Sequence, residues 1–200
     1  SKRIRFDGDG YSMAWEKEAK RRKLSNNKTT PEALSVLTSK ESLDLFKSMG
    51  VMSETEVRAR QEVELKTYSM HVQIEGRMYD QLVYNYIIPS TVDYQNKLIK
   101  NVLGMKDIYG GAHKKLSEGQ LTIIETMATH LTDLKKKTDS MTDARRKANK
   151  LIDSHKKAMA YCTDVKPYFE EIRLHCDKIE KLVDNQLWPL TKYQELLFIK

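Results

Sequence analysis

His71 and Glu75 stand four residues apart, the spacing that lets two side chains on one helix face reach a single metal ion. A metal site needs at least one more converging ligand, and the neighbouring sequence supplies none. The expectation is therefore a polar pair at a helix interface. Cys162, His175 and Cys176 raise thiol or zinc chemistry. Within one continuous helix, Cys162 and Cys176 would lie roughly 21 Å apart at about 1.5 Å per residue. That separation rules out a shared metal or a disulfide, so both read as small buried hydrophobes. His113, His130 and His155 have no obvious acid–base partner in the sequence.

Three basic runs, Lys20 to Lys23, Lys135 to Lys137 and Arg145 to Lys147, account for much of a net charge of +7. A nucleic-acid track would place them on one face with stacking aromatics between them. Instead, Asp133, Asp139 and Asp143 lie close by and the tyrosines sit mostly in other segments. These runs read as a solvated helix face. The sequence has no Gly-rich phosphate loop, no G-x-S-x-G and no clustered carboxylate motif. No catalytic, cofactor-binding or metal-ligating residue is assigned.

The elements that would position such groups are helices. Apolar residues make up 40% of 200 and charged residues 32%, with 8 Gly and 4 Pro, a balance that suits long amphipathic helices better than a many-turned sheet. No apolar run approaches the roughly 20 residues of a membrane span, and no signal peptide opens the chain. Two cysteines without a disulfide framework point to the cytoplasm. Ser1 in place of an initiating Met suggests a piece of a longer polypeptide.

Along the chain, the first eleven residues read as an extended strip with a Gly-Asp-Gly turn. Ser12 can cap a short helix with Trp15 and Ala19 on one face. Thr30-Pro31-Glu32 supplies a capping hydroxyl, an early Pro and a first-turn acid. Ser39 opens another short helix that stops at Gly50. Ser53 to Glu56 is a capping box that introduces the first long helix, with Leu65, Tyr68, Val72, Tyr79, Leu82 and Tyr86 at helical spacing. Gly76 within it costs about 1 kcal/mol against Ala. Pro89 predicts a kink, after which Val92, Leu98, Ile99 and Val102 resume the pattern towards Gly110-Gly111.

Ser117 to Gln120 reads as a second capping box. The stripe behind it is Gln120, Ile124, Met127, Leu131, Leu134, Thr138, Met141, Arg145, Ala148 and Ile152, alternating 4 and 3 as in a seam between packed helices. A further stripe runs Ala158, Cys162, Val165, Phe169, Ile172, Cys176, Ile179 and Val183. Pro167 inside it predicts a bend or restart, with Asp164 available as a cap. The fold expected is all-α: a bundle of long antiparallel helices, one kinked near Pro89, with short N-terminal helices and an apolar C-terminal tail. Residues 1–52 form a junction strip with short helices, and 53–200 the bundle. The tail residues Trp188, Pro189, Leu190, Tyr193, Leu196, Leu197, Phe198 and Ile199 are expected to fold back onto the bundle, with a neighbouring subunit as the alternative cover.

F-D-G-D-G-Y-S, W-E-K-E-A-K-R-R and T-T-P-E-A-L resemble the run leaving the catalytic domain of type III glutamine synthetases. A-Y-C-T-D-V-K-P-Y-F-E-E-I-R and W-P-L-T-K-Y-Q-E-L-L-F-I-K are similar to that family's C-terminal helices and tail. The resemblance covers the chain in order. It implies a parent enzyme that joins ammonia to glutamate at the expense of ATP, with magnesium or manganese, as a dodecamer of two stacked hexameric rings. Those ligands belong to a catalytic region upstream, so this chain is expected to hold no cofactor and to be inactive alone. Its partners would be its own catalytic domain and neighbouring subunits. The alternatives are an independent basic helical module for nucleic acid, and a regulatory module with a ligand pocket between helices.

Overall fold

The computed structural model describes residues 5–197, and every regular element among them is helical. Arg3 and Ile4 of the expected strip, and Phe198 and Ile199 of the expected tail, lie outside the described residues, as does the side chain of Tyr193. The chain divides into two compact units, residues 1–65 and 66–200.

In the first unit, α1 (Met13–Arg21), α2 (Thr30–Ser35) and α3 (Lys40–Ser48) are short and individually capped. The Ser12 hydroxyl accepts from the Trp15 amide at 3.3 Å and the Ser39 hydroxyl from Ser42 at 3.2 Å. The cap of α2 is Thr29, one residue earlier than expected: its hydroxyl takes the Glu32 amide while the Glu32 carboxylate takes the Thr29 amide. The reason is the reciprocal bond, which needs an acid three residues after the cap. Gly50 ends α3's turn at φ 64, a left-handed conformation that favours glycine. Ser53 and Glu56 form the capping box of α4 (Glu54–Leu82), and Gln61 donates to the Leu34 carbonyl at 2.8 Å and the Thr38 hydroxyl at 2.9 Å.

The second unit is built from three long helical segments. The first is the C-terminal part of α4, a π turn at Val83–Ile87, and α5 (Ile88–Tyr109). After a short turn at Gly110–Ala112 and α6 (His113–Leu116) comes α7 (Glu118–Asn149). The third is α8 (Ser154–Ala160), a second π turn at Tyr161–Val165, and α9 (Pro167–Glu180). Pairings fix the directions. Gln95 meets Ile124, Tyr84 meets Asp139 and Asp80 meets Thr142, so the first segment runs antiparallel to α7. His130 meets His175 and Lys137 meets Glu171, so α7 runs antiparallel to α9. The core holds Met127, Leu134, Met141, Tyr161, Val165, Ile172 and Ile179, all essentially sealed from water.

Pro89 and Pro167 each follow a π turn, so the helical path continues through them. The residue just before each proline closes the wide turn: the Ile88 amide bonds the Val83 carbonyl, and the Lys166 amide bonds Tyr161 at 3.0 Å. A proline has no amide to give and its ring collides with the carbonyl four residues back, so widening the turn relieves both problems. After Pro89 the hydroxyls of Ser90 and Thr91 donate to the Ile87 carbonyl at 3.1 and 2.6 Å. Asp164 caps nothing; it accepts from the Thr163 hydroxyl instead. Ser117 also fails as a cap, because the chain before it is already helical and its hydroxyl bonds back to the His113 carbonyl at 2.7 Å.

The tail divides. Trp188 is buried in the core and Leu190 packs against it, while Leu196 and Leu197 are exposed on α10 (Tyr193–Leu197). Lys192 fixes the buried part: its ammonium lies 5.9 Å from the Trp188 ring centre and donates to the Glu180 carbonyl at 3.1 Å.

Candidate functional site

The seam between α7 and the third segment gathers most of the second unit's polar chemistry. Helical spacing on α7 places His130, Asp133 and Lys137 on one flank, and α9 answers with Glu171 and His175. The two imidazoles meet through their Nδ1 atoms at 3.2 Å, so one must be donor and the other acceptor. His130, which has no partner within its own stretch of sequence, thus gains one from a helix 45 residues away; only the antiparallel register could have shown this. Burial lowers the His175 pKa below its ordinary value, with the Asp133 carboxylate pulling the other way and the His130 ring adding to the drop.

Beside this pair lies an open groove of about 680 Å³ lined by Lys137, Lys147, Asp143, Asp164, Tyr168 and Glu171, among others. Several of its charges already have partners. Lys137 pairs with Glu171, Asp143 with Arg146 at 3.4 Å, and Thr163 with Asp164 at 2.8 Å. Lys135 is likewise tied to Asp139 at 2.8 Å, and Tyr84 donates to the same carboxylate. These ion pairs are exposed and salt-screened, each worth roughly 0–1 kcal/mol. Within the basic run, Lys135 and Lys137 are thus paired to Asp139 and Glu171.

Deeper in the same unit is a different cluster. Gly76 on α4 is buried where a Cβ would stand 3.3 Å from Arg145 Cδ and 3.7 Å from Phe169. The missing side chain lets the arginine stem and the aromatic ring approach the α4 backbone, with Tyr79 stacked on Phe169 at 4.7 Å. Gly76 is therefore a close-approach residue and more than a tolerated helix cost. Arg145 Nε and the Tyr161 hydroxyl are both buried and without a hydrogen-bond partner. Burial raises the Tyr161 pKa, while the charges of Arg145 and Arg77 pull it down. An unanswered hydroxyl of this kind costs about 1–3 kcal/mol. Periodicity missed Tyr161 because Cys162 fits the same stripe; the larger side chain takes the buried place.

His71 and Glu75 are both exposed on α4, so they do not lie at the helix interface expected for them. Cys162 and Cys176 are free and half-buried. Burial pushes the Cys176 thiol up to about 12, which keeps it protonated and unreactive. Among the described residues no three His, Cys, Asp or Glu side chains converge to hold a metal ion. The arrangement is suited to binding and packing.

A family model described as the glutamine synthetase C-terminal domain matches residues 1–106. A glutamine synthetase of Bacteroides fragilis (strain YCH46) is 41% identical over 201 residues, covering 100% of this chain. A type-3 glutamine synthetase of Dictyostelium discoideum is 28% identical over 99% of the chain, and a glutamine synthetase of Butyrivibrio fibrisolvens 26% over 98%. The chain spans only 28%, 27% and 28% of those proteins' own lengths.

Proposed function

This chain belongs to the family of glutamine synthetase C-terminal domains, and from that premise we propose that it is the structural and assembly part of a type III enzyme. In this reading the parent joins ammonia to glutamate with ATP and magnesium or manganese, in the cytoplasm. The catalytic groups lie in its remaining length, and the assembly is a dodecamer of two hexameric rings. Residues 1–52 form the junction from the catalytic region and 53–200 the bundle. No helix among the described residues is long and apolar enough to cross a membrane.

The observation that carries the docking role is the apolar surface of the first unit. Tyr11 is 98% exposed, Met13 73% and Met49 68%, with Leu45 and Val51 also in water. Exposed apolar side chains in such number mark a contact surface. The occupant we assign is the catalytic region of the same subunit, since matched relatives carry more than twice this length again.

The chain alone should show no γ-glutamyl transfer. Deleting it from the parent should break ring assembly, read by sedimentation. An intact, fully active dodecamer after deletion would remove the assembly role. Leu45→Glu with Met49→Glu in the parent should loosen the assembly, while the same pair in the isolated chain leaves its helicity unchanged. A parent indifferent to both substitutions would exclude this surface as the dock.

A further inference from the structure

The contact between His130 and His175 joins two titratable rings from different helices across the α7–α9 seam. The core fixes their positions from both sides. Met127 and Leu134 lie three residues before and four after His130, Ile172 and Ile179 stand likewise around His175, and all four are sealed from water. The rings are half-buried and tilted by 57°, with centres 5.4 Å apart. A contact between two Nδ1 atoms at 3.2 Å is a hydrogen bond only when one carries a proton and the other a lone pair. Two imidazolium rings offer no lone pair and carry like charges. Double protonation therefore turns this attraction into a repulsion.

The surroundings decide how many protons the pair can hold. From α7 the charges of Asp133 and Lys137 act on it, and from α9 that of Glu171. Lys137 is paired with Glu171, which leaves the carboxylate of Asp133 to balance one imidazolium and not two. Arg173 and Asp177, two residues to either side of His175, bind each other at 3.8 Å. From the first segment, the Tyr84–Asp139 and Gln95–Ile124 pairings bring the neutral Ser90 and Thr91 to the level of His130. His175 is the ring that resists a charge. Burial weighs most, with Asp133 and Glu171 opposing it and His130 and Lys137 adding to it.

We propose that His130 and His175 form an acid-opened clasp on the α7–α9 seam, in which His130 Nδ1 donates and a neutral His175, protonated at Nε2, accepts. At neutral pH the clasp is closed. As pH falls below 6.5 the second proton goes to His175, the acceptor lone pair is lost and α9 loosens against α7. The direction follows from linkage: a ring whose pKa is lowered in the closed state binds its proton more readily in the open one, so acid favours opening. The inference stands apart from the docking role, because both rings belong to the second unit.

The experiment is a nitrogen-15 NMR titration of the imidazole rings in this chain between about pH 8 and 5, with amide exchange measured at both ends. At the upper end His130 should be the Nδ1–H tautomer and His175 the Nε2–H tautomer. On acidification, exchange corrected for its intrinsic pH dependence should accelerate by roughly tenfold or more in residues 127–134 and 172–179, and hold steady in α5. His175→Gln should abolish that acid response. His130→Gln should move the His175 titration back towards 6.5, a shift that a purely structural role for His130 would not produce. His71→Gln, exposed on α4, should change neither reading, and all three variants should keep wild-type helicity. Any other pairing of tautomers overturns the proposal. So does acid exchange at the seam no faster than in α5, or an acid response lost as fully in His71→Gln as in His175→Gln.

Discussion

In residues 66–197, side chains from three helical segments, among them Met127, Leu134, Met141, Ile172 and Ile179, are sealed from water. In residues 5–65 the buried side chains are few, Ala19, Pro31, Val57 and Leu65, while Tyr11, Met13, Leu45, Met49 and Val51 stand exposed. The capping chemistry follows how the chain enters each helix. Ser12, Thr29 and Ser39 each close the start of a short helix, Ser53 closes the long α4, and Asp153 does the same for α8. The segments α5, α7 and α9 carry no side-chain cap, and each continues from a turn that is already helical. Isolated short helices are marginal and depend on their ends, whereas long amphipathic helices are held by the face they bury. Caps therefore mark where non-helical chain enters a helix, and they matter most where packing is thin.

The sharpest way to break this contrast is to cut cavities on both sides of it. Leu134→Ala and Ile172→Ala should each cost about 2–5 kcal/mol in urea unfolding, because nothing can fill the space at a fully buried seam. Leu45→Ala, on an exposed side chain, should stay within about 0.5 kcal/mol. Equal losses would mean the first unit has a core of its own. Next in size, removing the Thr29 cap by Thr29→Ala should cost about 1 kcal/mol, seen as faster amide exchange in α2. Unchanged exchange there would show that the cap is idle.

A pair of glycines tests close approach against helix propensity. Gly104→Ala on α5, with nothing within 4 Å of the new Cβ, should stabilise by about 0.5–1 kcal/mol. Gly76→Ala meets Arg145 at 3.3 Å and should lose that gain and more. Two alanines of the same sign and size would contradict the packing described around Arg145.

The smallest effects come from pH, and they separate the two units. His175 has a folded pKa below its ordinary 6.5, so the unfolded chain takes up a proton first. Stability of the second unit should fall as pH drops through 6.5 and level off below the folded value, and His175→Gln should flatten that slope. In the first unit, hydrogen bonds from Arg21 and Arg22 hold Glu18 at about 2 against an ordinary 4.5. Its contribution is present above 4.5 and is lost as pH falls towards 2. A melting midpoint that is flat between pH 7 and 5 would contradict the burial of His175.

Much of this was legible in the residues. The α7 stripe holds from Met127 through Ala148, since no proline or glycine disturbs that stretch, and fails only at Ile152, which is 98% exposed in the turn. The first segment is different. Its expected stripe passes through Tyr86 and Val92, but these are exposed, and Val83, Ile87 and Thr91 are buried instead. The π turn moves the buried face by one residue, a shift that 3.6-residue counting cannot see. The His130–His175 contact was invisible for another reason: it depends on the register between helices, which sequence spacing within one helix does not fix.

The two π turns also bear on how this molecule can change its length. Each holds one residue beyond what a regular turn needs. Deleting a residue such as Asn85 or Thr163, with the following proline replaced, would restore an ordinary helix and leave everything downstream facing the same way. The same deletion inside the 32-residue α7 would rotate every later seam residue by about 100° out of place. Gaps and insertions should therefore collect at these two turns and be purged from the helix between them.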